Sequence, residues 1–323
     1  MQLMLFYALA ASNAFINYTT GPQTYDSGTS AVFLDCFFYH IVANANAAGI
    51  FVQGPEIIVE ISRCGFYMCS CTQYPSGGAV FLLTFYSYKI TKVCFEFCSS
   101  SHGQSYGIYG DSVSELKFDQ MNLTCETKVG FESVPSHPSF IGGYNKLTFS
   151  HNNNSECKVS SVSCGFYFYG AKDTTYTLFN QISNGFGFST IILNGGSIPI
   201  LKNHNIINNT ISSYLLNINQ YSVTIDGFVF QDNSDVNLAG ASHFPFQNAV
   251  FSNCAFDIQL SKLKTPYCTF TGVNIWEDKT RMNQINKFHI NECHMMGEYS
   301  YQLFTTSQKQ VQSLVLLFIS LMN

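Results

Sequence analysis

The sequence predicts an all-β chain wound as a right-handed parallel β-helix, a β-solenoid in a single domain. Three features point there: short alternating strands, recurrence at a fixed step, and Asn or Gly closing the strands. Stretches of about five residues, rich in Val, Ile, Phe, Tyr and Thr, alternate apolar with polar as half-buried strands do. Ile61-Ser-Arg-Cys-Gly-Phe-Tyr-Met-Cys69 aligns with Ile90-Thr-Lys-Val-Cys-Phe-Glu-Phe-Cys98, and Gly-rich turns end at Gly78 and Gly107, both steps being 29 residues. Ser30 to Tyr39 returns as Gly78 to Ser87, and Cys64-Gly-Phe-Tyr67 returns unchanged as Cys164-Gly-Phe-Tyr167. A shorter register comes next, with apolar stretches beginning near Val162, Ile182, Ile206, Phe228, Val250, Thr269 and Phe288, at steps of 20, 24, 22, 22, 19 and 19. Fixed-period similarity marks architectures in which each unit buries its face only against its neighbours. An ordinary parallel pair needs a crossover of roughly a dozen residues, so links this short require the chain to coil.

Asn at strand ends has its own physical reason. It tolerates left-handed backbone, and stacked amides bond to one another in a ladder. Asn208, Asn233, Asn253 and Asn291 are the candidates.

The chain divides into three segments. Residues 1–14 place an apolar run, Leu3 to Ala11, before Ser12-Asn13-Ala14, the pattern of a secretory signal cleaved after Ala14, although no basic residue precedes the run. Residues 15–305 form the β-helix. Residues 306–323 are a short apolar tail, below the roughly 20 residues a spanning helix needs; it is expected to cap the last coil, with a lipid-anchor signal as the alternative. Membrane association therefore rests on that tail alone.

Composition narrows the function. Hydrophobic residues make up 46% and charged residues 11% of the chain, with 30 Phe and 19 Tyr, so the core is large and the surface is solubilised by Ser, Thr and Asn. A net charge of −5, with Arg63 and Arg281 the only arginines, excludes the basic footprint of nucleic-acid binding. Twelve cysteines in an exported chain suit disulfides. Sequons at Asn17, Asn122, Asn153 and Asn208 are candidate glycosylation sites.

Motifs that carry chemistry are sparse. Gly103-Gln-Ser-Tyr-Gly107 matches a nucleophile elbow but occupies the place of a repeat turn, with no amphipathic helix after it. Cys64, Cys69, Cys71, Cys94 and Cys98 lack the paired spacing of zinc ribbons. A step of 29 to 30 sets Cys64 beside Cys94 and Cys69 beside Cys98, as cross-coil disulfides or as stacked thiols. Asp226, Asp232 and Asp257, with Asp235, are the carboxylates that neighbouring coils could converge, with strand-end surface positions as the plainer reading. No catalytic, cofactor or metal site is assigned.

On these repeats, strand-end asparagines and cysteines, the chain from Thr29 to Gly297 resembles the pectin-lyase-like β-helix group, and in style the Cys-, Asn- and aromatic-rich surface proteins of trichomonad protists, themselves similar to polymorphic outer-membrane proteins. The resemblance implies an exported or surface-displayed adhesion protein whose ligand is a host cell, a matrix or a glycan. The alternative is a polysaccharide lyase or hydrolase, or its inactive descendant, since the fold hosts such enzymes and fold alone does not carry function.

Overall fold

The computed structural model describes residues 16–17 and 23–275, apart from 55, 72–77, 85–86, 101–102, 114, 120–121, 125–136, 145, 158, 160–162, 170–174, 179, 196–198, 220–221, 235–236, 242–247 and 258–266. For the strands of 16–17, 103–144 and 175–176, and for 84, the backbone alone is described. The coils belong to one compact unit, Met1–Ile290; the second unit, Asn291–Asn323, lies outside the described residues, as do residues 1–14 and 306–323.

Every described strand pairs in parallel with the strand one coil away. A first sheet of eleven strands runs from Ile16–Asn17 through Cys36–Tyr39, Gly65–Tyr67 and Cys94–Glu96 to Asn274–Ile275. A second, of nine, runs from Gln23–Tyr25 through Ile50–Gly54 and Val80–Thr84 to Asn237–Gly240. A third, of ten, runs from Ser30–Leu34 through Ile58–Ser62 and Ser87–Thr91 to Cys268–Thr271. The chain visits the sheets in constant rotation, which is the β-solenoid, and no helix occurs among the described residues.

The core runs along the axis. Alternate residues point inward: Ala31 and Phe33, Val59 and Ile61, Tyr88 and Ile90 are all buried on the third sheet. In the first sheet Phe38, Phe66 and Phe95 stack face to face at 4.7 and 5.0 Å, within 9° of parallel. Offset-stacked rings of this kind contribute about 0.5–1.5 kcal/mol each beyond burial. Phe81 and Ile192, although 1% and 8% exposed, stand on the outward side of the second sheet and outside the axial core.

The 29-residue register holds where Ile61 faces Ile90 and Phe66 faces Phe95. Two expectations are corrected. Ser30–Leu34 faces Ile58–Ser62 and then Ser87–Thr91, whereas Val80–Thr84 belongs to the second sheet opposite Ile50–Gly54. The same apolar string suits either sheet because both bury alternate residues. The shorter register likewise mixes sheets. Ile182 faces Ile206, which faces Phe230, both steps of 24, while Val250 lies in the third sheet between Thr224 and Thr269.

Candidate functional site: the two corners of the coil

At most described corners the chain turns sharply beside its short first-sheet strand through a single residue in the left-handed region. Before the strand these are Asp35, Arg63, Lys92, His151, Asn203, Gly227, Asn253 and Gly272; after it, His40, Met68, Phe97, Glu156, Asn184, Asn208 and Asp232, with φ between 51° and 69° throughout. An L side chain in that region costs about 1–2 kcal/mol, so the coil accepts this strain at most described corners. Stacked corners are tied to one another. Arg63 chelates Asp35 through two 2.6 Å bonds, Asn208 Nδ2 donates to Asn184 Oδ1 at 2.8 Å, and Asn253 Nδ2 donates to Asp226 Oδ1 at 2.9 Å.

The residue after each corner turns into the core and acts as a post. After the first corner the posts include Cys36, Cys64, Val93, Asn152, Asn180, His204, Phe228 and Cys254; after the second, Ile41, Cys69, Cys98, Cys157, Asn209 and Asn233. Cysteine and asparagine do the same work here. Asn209 Nδ2 donates to the carbonyl of Ile207, two residues back, and to that of Ile182, one coil below, both at 3.1 Å. Cys98 Sγ reaches Glu96 and Phe66 carbonyls at 3.5 and 3.6 Å, and Cys64 Sγ reaches those of Ser62 and Phe33 at 3.3 and 3.5 Å. The carbonyls two residues back already accept a backbone N–H from the corner one coil below, Asn184 to Ile207, Met68 to Glu96 and Asp35 to Ser62. The post therefore adds a second bond there and satisfies its own buried polar group, which would otherwise cost about 1–3 kcal/mol. The amides also chain together: Asn180 Oδ1 accepts from Asn152 N and Nδ2 at 2.9 and 3.0 Å, and Asn233 Oδ1 accepts from Asn209 N and Nδ2 at 3.1 and 3.0 Å.

His204 is the one ionisable post among them with an imidazole. It is 2% exposed and lies against Phe228 at 4.5 Å. Nδ1 accepts from Asn180 N at 3.2 Å, so the ring proton sits on Nε2 and donates to Thr177 Oγ1 at 2.9 Å. Burial holds its pKa down at about 3, and the imidazole is neutral. Burial also raises the Cys254 thiol to about 12 and lifts Cys64 well above the usual range. A reactive thiolate needs the opposite environment.

The residues singled out from the sequence occupy distinct places in the coil. Cys94 stands opposite Gly65, one residue away from Cys64, and is disulfide-bonded; the post opposite Cys64 is Cys36. Cys69 and Cys98 stand as stacked posts carrying thiols. Among the described residues, no three His, Cys, Asp or Glu side chains gather as a metal cage would need.

The carboxylates divide between the corners. Asp226 closes a third-sheet strand and meets Lys202 Nζ at 3.5 Å as well as Asn253. Asp232 and Asp257 come together on successive coils at the second corner, where Asp257 Oδ2 accepts the Asp232 backbone N–H at 2.7 Å. The strand Val229–Gln231 separates them from Asp226. Asp235 lies outside the described residues.

Gly103–Gly107, expected in a turn, opens the strand Gly103–Val113, with a register shift between Gly103 and Tyr106. A serine in an extended strand lacks the strained strand-to-helix turn an elbow requires. Of the sequons, Asn17, Asn122 and Asn153 lie in first-sheet strands, Asn122 facing Asn153, while Asn208 is exposed at a corner. On the outer side of that sheet Tyr39 and Tyr67 stack at 5.4 Å, 5° from parallel, and Phe97 meets Tyr67 edge-on at 5.3 Å. Those ring faces cover one another, leaving edges and hydroxyls rather than faces as the outward surface.

Sequence reasoning missed the posts Cys36, Asn152, Asn180, His204 and Asn209. What marks them is position alone, one residue beyond a corner, since the same columns also carry Ile41, Val93 and Phe228. Asn208, Asn233 and Asn253, grouped as one ladder, occupy three different columns. Comparison with known proteins finds no family model that matches the chain, and no similar curated protein or solved structure.

Proposed function

We propose that the chain is an exported or surface-displayed β-helix that binds a glycan, a matrix or another cell through its lateral faces and loops, without catalysing a reaction. The observation that carries this reading is the use of its polar residues. Asp226, Asp257, His204 and the buried cysteines serve neighbouring coils as acceptors or posts, and the Asp232 carboxylate accepts from Gln231 beside it. What they support is a scaffold that holds outer surfaces in place. The disulfide at Cys94 fits an oxidising compartment, as do the leader-like first residues and the exposed sequon at Asn208. The pectin-lyase-like and trichomonad surface-protein likeness is part of the same reading.

A broad glycan and polysaccharide panel, scored for binding and for bond cleavage, tests it. Retention of one glycan class without cleavage is the expected result. Cleavage overturns it and directs mutation to Asp232 and Asp257, neighbours at the second corner, where the Asp257 carboxylate accepts the Asp232 backbone N–H.

A further inference from the structure

We propose that Cys36 and Cys64 are a latent cross-coil disulfide that staples the first coils together when the chain is oxidised. The staple needs only an oxidising redox buffer and stands apart from the display reading. Phe37 faces Gly65 in the first sheet, which sets Cys36 directly opposite Cys64. Parallel neighbours lie about 4.8 Å apart, within the roughly 4.4–6.8 Å Cα separation that disulfides take. Both side chains turn into the core at 2% exposure. Cys36 Sγ donates to Leu34 O at 3.3 Å, and Cys64 Sγ reaches Phe33 O in the Cys36 coil at 3.5 Å.

The pair is asymmetric in a useful sense. The Cys64 side chain beside it holds the Cys36 pKa down, while burial raises that of Cys64. Cys36 is therefore the member that attacks first and Cys64 the one that resolves. With a small disulfide such as oxidised glutathione as the oxidant, Cys36 thiolate attacks one sulfur, forming a mixed disulfide and expelling one glutathione thiolate, which takes up the Cys36 proton. Cys64 then gives up its proton and attacks Cys36 Sγ, expelling the second glutathione. Two protein thiols are oxidised, and one small disulfide is reduced to two thiols.

The oxidant reaches the pair by local opening of the first-sheet strands, in which Ile16 stands opposite Cys36. Cys254, the other described cysteine after a first corner, sits between Phe228 and Val273, so among the described residues of this column only Cys36 and Cys64 stack thiol on thiol.

The full chain is equilibrated with glutathione at a range of ratios, alkylated under denaturing conditions, digested and mapped by mass spectrometry, with thermal unfolding followed in parallel. The expected result is a Cys36–Cys64 linked peptide and a rise in midpoint of about 5 °C or more. Cys36→Val and Cys64→Val should each abolish that rise while folding normally, because Val93 already fills a post in this column. Cys69→Val should retain it, Ile41 being the equivalent apolar post. Full alkylation of Cys36 and Cys64 at every ratio overturns the proposal, and so does linkage of either to a different cysteine.

Discussion

A buried asparagine that serves two carbonyls at once is hard to replace. Asn209→Ala removes the donor to Ile182 and Ile207 and the link to Asn233, and the expected cost is about 2–4 kcal/mol in denaturant unfolding. Asn209→Cys should cost about half of that or less, since a thiol does the same work at Cys98, though as a weaker donor. His204 adds a pH dependence. Its folded pKa is about 3 against 6.5 for the free side chain, so below pH 6.5 the unfolded chain binds the extra proton. Stability is then complete above pH 6.5 and falls by about 1.4 kcal/mol per unit as pH drops towards 3. Glu96, whose carboxyl burial raises, contributes with the opposite sign. The two are separated by His204→Asn, which keeps an acceptor for Asn180 N and should flatten the slope measured by urea unfolding across pH 4–7.

At the scale of the coil, the corners hold the stored strain. Lys92 takes φ 56° where Gly227 and Gly272 serve at equivalent positions. Lys92→Gly should therefore be neutral to stabilising, by up to about 1 kcal/mol, and Lys92→Val destabilising by more than that. Gly227→Ala should cost about 1 kcal/mol or more, because the residue holds φ 69° and Asn203 Oδ1, 2.2 Å from the new Cβ, must swing aside. Thermal unfolding of the three variants checks the order. The coil's existence was legible in the sequence because Ile61 and Ile90 repeat both their own spacing and the residues around them. The assignment of strands to sheets was not, since Ser30–Leu34 and Val80–Thr84 present nearly the same alternation and differ in the residues after them. The posts were illegible for a related reason: a column that alternates Cys, Val, Asn, His and Phe carries no single residue type to trace. Only the register reveals that these side chains share one place.

For the molecule as a whole, each coil touches just the coil before and the coil after, so stability accumulates through neighbours rather than through one central nucleus. Phe66, fully buried between Phe38 and Phe95, joins three coils. Phe66→Ala should cost about 3–5 kcal/mol, and hydrogen exchange should report the loss chiefly in the strands between Cys36 and Glu96, with the coils near Ile206 keeping their protection. Equal loss of protection along the whole chain would instead mean that the coils unfold as one unit.

The repeated corner also makes length a counted quantity. Asn184 and Asn208 are the same corner 24 residues apart, bonded to each other, so excising the 24 residues after Asn184 brings Asn209 onto the end that Gly185 leaves. Shortening or lengthening by whole turns moves the far end of the scaffold along its axis in increments of roughly 4.8 Å while each remaining corner meets another corner. A chain built this way can drift in reach by duplication or loss of a turn, whereas an insertion of one or two residues must be absorbed as a bulge between strands. The ruler is graduated in coils.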